Sequence, residues 1–161
     1  MEIRIRETGA VMFEGAFRAL FPNTSIPSPL TVEILNELGA DPVLEGPQAT
    51  TTTPYEFSYR DGVQEINGQW FTKYSVGPVF TDNEEATAAE QEAAYKAQKD
   101  GEQAQRVRDD RNKKLTETDW TQCKDVADAV STKWAQYRQD LRDVPTQPGF
   151  PWNVTWPTQP E

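Results

Sequence analysis

Ile3 and Ile5 alternate with Glu2, Arg4 and Arg6 at the head of the chain, the period of two that marks a half-buried strand. Val11 to Phe13 can return beside them after Thr8-Gly9, so a hairpin is predicted. Glu14 to Phe21 suits a short helix that Pro22 stops, and Asn23 to Leu30 reads as a proline-rich loop. Thr31 is an N-cap candidate ahead of Val32, Ile34, Leu35 and Leu38, with Gly39 behind them as a C′ glycine, which brackets a second short helix. Asp61-Gly62 and Asn67-Gly68 both favour positive φ and separate three β-prone runs, Tyr55 to Arg60, Val63 to Ile66 and Gln69 to Val76. Alternation places Tyr55, Phe57 and Tyr59 on one face, and Trp70, Thr72 and Tyr74 likewise. The pattern predicts a three-stranded antiparallel meander packed on one side by the short helices.

From Thr81 to Lys114 the large apolar side chains are only Tyr95 and Val107, too few for a separate core. Thr81-Asp82-Asn83-Glu84-Glu85 supplies a cap and first-turn acids, and Arg111, Lys113 and Lys114 supply last-turn bases, as the helix dipole favours. Ala86, Ala89, Ala93, Ala97, Ala104 and Val107 recur at helical steps except where Asp100 interrupts. A long helix over 81–114 is therefore expected, with Gly101 its weakest point at a cost of about 1 kcal/mol relative to Ala. It serves as a solvated spacer or pairs with copies of itself through the narrow Ala seam.

Val130, Trp134, Tyr137 and Leu141 lie four, three and four apart, on one face of a helix expected over 129–142 that packs with Leu115 and Trp120. Beyond Val144, five prolines alternate with Phe150, Trp152 and Trp156, which favours an extended arm. Its aromatics need cover, either from the chain itself or from a partner. The fold expected is α+β: a small antiparallel meander domain with short helices at 1–79, a long charged helix at 80–114, and a C-terminal helix with a Pro/Trp-rich extended arm at 115–161.

Composition narrows the function. Of 161 residues, 16 are Lys or Arg, 26 are Asp or Glu and none is His, for a net charge of −10. Such a surface repels phosphate, so no nucleic-acid partner is expected. Without His there is no His general base, no His-activated nucleophile and no usual zinc site. Cys123, the single cysteine, has no disulfide partner within the chain. The pairs Glu84-Glu85, Asp109-Asp110 and Asp125 with Asp128 lack apolar neighbours to raise a pKa, and no calcium-loop or phosphate-loop spacing occurs. No catalytic residue, metal site or cofactor is expected. Neither an apolar signal segment at the N-terminus nor a run of 18 apolar residues is found, so a cytosolic protein without a membrane partner is anticipated.

The C-terminal third carries a family resemblance. Arg111-Asn112-Lys113-Lys114-Leu115, Thr118-Asp119-Trp120-Thr121-Gln122, Lys133-Trp134-Ala135-Gln136-Tyr137-Arg138-Gln139-Asp140-Leu141-Arg142-Asp143, Pro151 and Trp156-Pro157 follow one another in an order that resembles the C-terminal signature of phage tail assembly chaperones and tail fibre assembly proteins. The resemblance spans about 108–160 and does not extend to the first 80 residues. It implies a non-enzymatic protein that acts in the host cytoplasm on a tail fibre or other tail protein. The alternative is an adaptor retained in the virion tail, baseplate or fibre attachment. Trp120, Trp134, Tyr137, Arg138, Leu141, Trp152 and Trp156 are the residues expected to meet the partner.

Overall fold

Strand β1 (Glu2–Ile5) turns Ile3 fully inward in the computed structural model, which describes residues 1–160. It pairs antiparallel with β2 (Val11–Phe13), as the alternation predicts. On its other side it pairs with β3 (Ala40–Leu44), which the sequence hides behind Pro42. That proline is tolerated because the next strand joins β3 only at Val43 and Leu44, so no ladder on that side asks for its missing N–H.

β4 (Phe57–Ile66) and β5 (Gln69–Gly77) complete a five-stranded sheet in the order β2-β1-β3-β5-β4, with β3 and β5 parallel. The fold is α+β, but the expected three-stranded meander is corrected to a single long hairpin within a larger mixed sheet. Asp61-Gly62 is not a turn. The register passes from Arg60 opposite Tyr74 to Val63 opposite Thr72, so Asp61 and Gly62 together face Lys73 in a bulge. Gly62 has φ +83°, and a bulge uses that left-handed conformation as readily as a hairpin turn does. Asn67 and Gly68, at φ 51° and 78°, do make the turn. Two short helices, α1 (Glu14–Ala19) and α2 (Val32–Glu37), lie on one face, where Phe17, Leu30 and Leu35 join Ile3 and Ala40 in the core. The Thr31 hydroxyl caps α2 by accepting from the Ile34 amide at 3.4 Å.

These elements form one compact unit, Met1–Val79; a second covers Phe80–Glu161. In the second unit the long helix α3 runs over Ala88–Glu117, seven residues later at its start than 81. Thr87 is the true cap: its hydroxyl accepts from the Glu90 amide while the Glu90 carboxylate accepts from the Thr87 amide. Asp82 and Asn83, read from sequence as helical, instead bond the amides of Ala88 and of Glu85 and Ala86 in a turn ahead of the helix. Gly101 interrupts nothing. The Ala seam divides, with Ala104 and Val107 buried and Ala89, Ala93 and Ala97 exposed. The buried half packs against α4 (Asp128–Asp143) and a 3-10 turn at Val144–Thr146. This packing places α3 and the segment after it in one unit, whereas the sequence pattern separates 80–114 from 115–161. No helix among the described residues is long and apolar enough to cross a membrane.

Two expectations test these assignments. Gly68→Val should destabilise the first unit by about 1–3 kcal/mol, since a β-branched residue is strained at positive φ; the check is the urea midpoint followed at Trp70. The Glu90 carboxyl is held below its ordinary range mainly by the Thr87 amide and then by the Thr87 hydroxyl. A depressed carboxyl supports the fold above its unfolded pKa and loses that support as pH falls through the folded one. Helical Cα shifts at residues 88–91 should therefore decline on acidification below about pH 4, and Glu90→Gln should abolish that titration.

Candidate partner-binding site

Thr118 ends α3 and turns its hydroxyl back onto the carbonyls of Lys114 and Leu115, at 2.9 and 3.0 Å. Arg138 of α4 meets the same helix end. Its Nη1 donates to the Leu115 carbonyl at 2.6 Å and to Thr118 Oγ1 at 2.8 Å, and its Nη2 donates to Asp119 Oδ1 at 2.6 Å. A guanidinium here also meets the negative end of the α3 dipole. Arg138 is only 8% exposed. Asp119 is largely in solvent, so the two bonds to Leu115 and Thr118 carry more of the stability than the ion pair does. Thr121, fully buried, donates to the Thr118 carbonyl at 2.7 Å in a 3-10 turn over Asp119–Gln122. Among the described residues, every buried polar side-chain atom has a partner.

That polar junction fixes an aromatic row. Tyr137, Leu141 and Val144 are buried; Trp134 meets Tyr137 edge-on with ring centroids 5.6 Å apart, and Trp120 leans on Trp134 at 5.9 Å. Exposure rises along the row from 4% at Tyr137 to 55% at Trp120. Val130, one turn before Trp134, is also exposed, although the spacing expected it in the core.

The proline-rich arm lies on α3. Gln147 closes residues 147–155 into a loop, its amide donating to the Thr155 carbonyl and accepting from the Thr155 amide, both at 2.7 Å. The Trp152 indole donates to Asp100 at 2.5 Å, the Arg108 guanidinium sits 5.3 Å from the Phe150 ring centroid, and Lys114 Nζ sits 5.5 Å from that of Trp156. Asp100, Ala104, Val107, Arg111 and Lys114 follow steps of four and three along α3. The carboxylate that interrupts the Ala seam is thus the arm's landing point. A cleft of about 430 Å³ opens beside Trp156, lined by Asp110, Lys113, Lys114 and Glu117. No group of His, Cys, Asp and Glu among the described residues is arranged to hold a metal.

These contacts involve Leu115, Thr118, Asp119, Trp120, Trp134, Tyr137, Arg138 and Trp156 of the resemblance, and the comparison with protein families falls on the same segment. Residues 104–161 match the family of phage tail assembly chaperone proteins. The match covers the last third of the chain and begins within α3 at the first residue buried beneath the arm and α4. No curated protein and no solved structure matches the chain.

The structure sorts the seven expected contact residues. Trp120, Trp134 and Trp152 present surface, with Trp152 37% exposed. Trp156 is half-buried beside Lys114. Tyr137, Arg138 and Leu141 are buried, and their side chains serve the interior of the unit. Sequence reasoning missed Thr118 and Thr121, whose burial has no compositional signal. It also missed the pairing of Asp119 with Arg138, for which opposite charge within the signature was a usable sign.

Arg138→Met should lower the stability of the second unit by about 2 kcal/mol or more, because it leaves the Leu115 carbonyl and Thr118 hydroxyl without their cationic donor. Arg138→Lys should fall between the two, since a single ammonium lacks the planar fork. Thermal denaturation monitored by near-UV circular dichroism of the tryptophans checks both.

Proposed function

We propose that this protein acts without catalysis in the host cytoplasm, holding a tail fibre or other tail component through Trp120, Trp134 and Trp152 during assembly. The observation that carries this reading is the 55% exposure of Trp120 at the outer end of a ring stack whose inner end is buried. A tryptophan so placed offers large apolar area with little rotamer entropy left to lose on docking. The family match supports the chaperone role, and the aromatic geometry supports this surface as its means.

Co-expression of the full chain with the tail and fibre proteins, followed by affinity capture, tests the reading. Trp120→Ala should reduce capture at least tenfold with an unchanged melting transition, as hot-spot aromatics typically cost ~2 kcal/mol or more on truncation. Trp152→Ala should weaken capture less, because its indole is already engaged by Asp100. Normal capture by Trp120→Ala would contradict the assignment. Recovery of the chain in purified virions would favour the retained adaptor over the chaperone that departs.

A further inference from the structure

The sheet of the first unit is covered unevenly. α1 and α2 close one face over β1 and β3. On the opposite face, the loop before β4 covers part of β4 and β5, the Gly46 amide donating to Thr72 Oγ1 at 2.7 Å and the Ala49 amide to Ser58 Oγ at 3.0 Å, while Val76 at the far end stays exposed. Among the described residues, no loop or helix of the first unit covers the helix-side face of β4 and β5. The register places Phe57, Tyr59, Ile66 and Phe71 there, with Leu44 of β3 beside Phe71. Phe57, Leu44 and Ile66 are 48%, 41% and 39% exposed. The Tyr59 ring lies flat enough across Gly77 that a Cβ there would come within 2.9 Å of it. At one end of the strip, Val32 and Asn36 of α2 face Gln69 across a cleft of about 350 Å³.

We propose that this strip receives a single amphipathic α-helix from a partner protein, apolar on its inner side and basic along its flank. Two strands are about 10 Å wide, the diameter of one helix, and α1 and α2 already form that layer over the neighbouring strands. Nine residues of strand extend about 30 Å, the length of a helix of about 20 residues. The strip offers roughly 300 Å², well below the ~800 Å² per partner of a stable dimer, so a second copy is the poorer fit. Charge selects the flank. Residues 1–79 hold five cations against ten carboxylates, and every cation is neutralised internally: Arg4 and Arg6 by Asp41, Arg18 by Glu14, Arg60 by Glu2, and Lys73, on the strip itself, by Asp61. Glu33 and Glu37 lie on α2, exposed on its solvent side next to the strip's neighbouring strands, with no ion-pair partner among the described residues. The uncompensated charge beside the strip is therefore acidic.

The test is an amide-resolved titration of the full chain with a designed peptide of about 20 residues, Leu along one helical face and Lys along its flanks. Shift changes should centre on β4 and β5, and the same peptide with Glu in place of Lys should bind at least tenfold more weakly. Leu44→Asp and Phe57→Asp should each weaken binding at least tenfold without altering the melting transition. Phe13→Asp, exposed on the opposite face, and Trp120→Ala should leave it unchanged, which separates this surface from the aromatic one in the second unit. Absent binding, equal binding by a Lys peptide with scrambled Leu positions, or shifts elsewhere would overturn the proposal. So would a dimer in sedimentation that Phe57→Asp abolishes, which would make the occupant a second copy.

Discussion

A buried guanidinium must keep its donors bonded or the fold around it fails, and Arg138 meets that constraint by capping the end of the long helix. Removing it from water is costly. The cost is offset by bonds to Leu115 and Thr118, by Asp119 at the rim, and by the dipole end of α3. Because the acceptors belong to α3 and the donor to α4, the interaction fixes how the two helices meet. Tyr137, next in sequence, is then carried into the interior, and Trp134, one turn earlier, is carried to its edge. The arm completes the arrangement by resting Trp152, Phe150 and Trp156 on charged side chains of α3.

This arrangement lets one short segment fold around a polar junction and still present aromatic surface. Charged and aromatic residues cluster in it because its core is small: Val107, Leu141 and Val144 are its buried aliphatic anchors larger than alanine. Polar bonds and ring contacts supply much of the rest. The aromatic row ends in solvent at Trp120, held by its inner neighbours. Apolar surface that is rigid and exposed suits transient, specific association.

How much of this was legible in the sequence depended on whether the signal was local. The Ile3–Ile5 alternation, the Thr31 cap and the Asn67-Gly68 turn act within a few residues, and each forms as expected. The four-three-four spacing of the C-terminal helix located α4, and the order of motifs agrees with the family match over residues 104–161. Strand β3 was missed because its pairing is non-local and its proline argues against a strand wherever a ladder is assumed on both sides. Asp61-Gly62 misled because a bulge and a turn ask the same φ of glycine. Thr81 and Thr87 both precede acids, and only the reciprocal bond with Glu90 distinguishes the cap. In the C-terminal segment, sequence order alone does not reveal that the arginine beside Tyr137 points inward.

In the proposed function, the buried polar junction of the C-terminal segment holds Trp120 out toward a tail protein. Photo-crosslinking from a benzophenone residue at position 120 in phage-producing cells measures this directly, with position 139, exposed and about 140° around α4 from Trp134, as the comparison. The account predicts an adduct with a tail or fibre protein from position 120 and none from 139. An adduct from 139 alone, or a complex that forms with no adduct from 120, would contradict it.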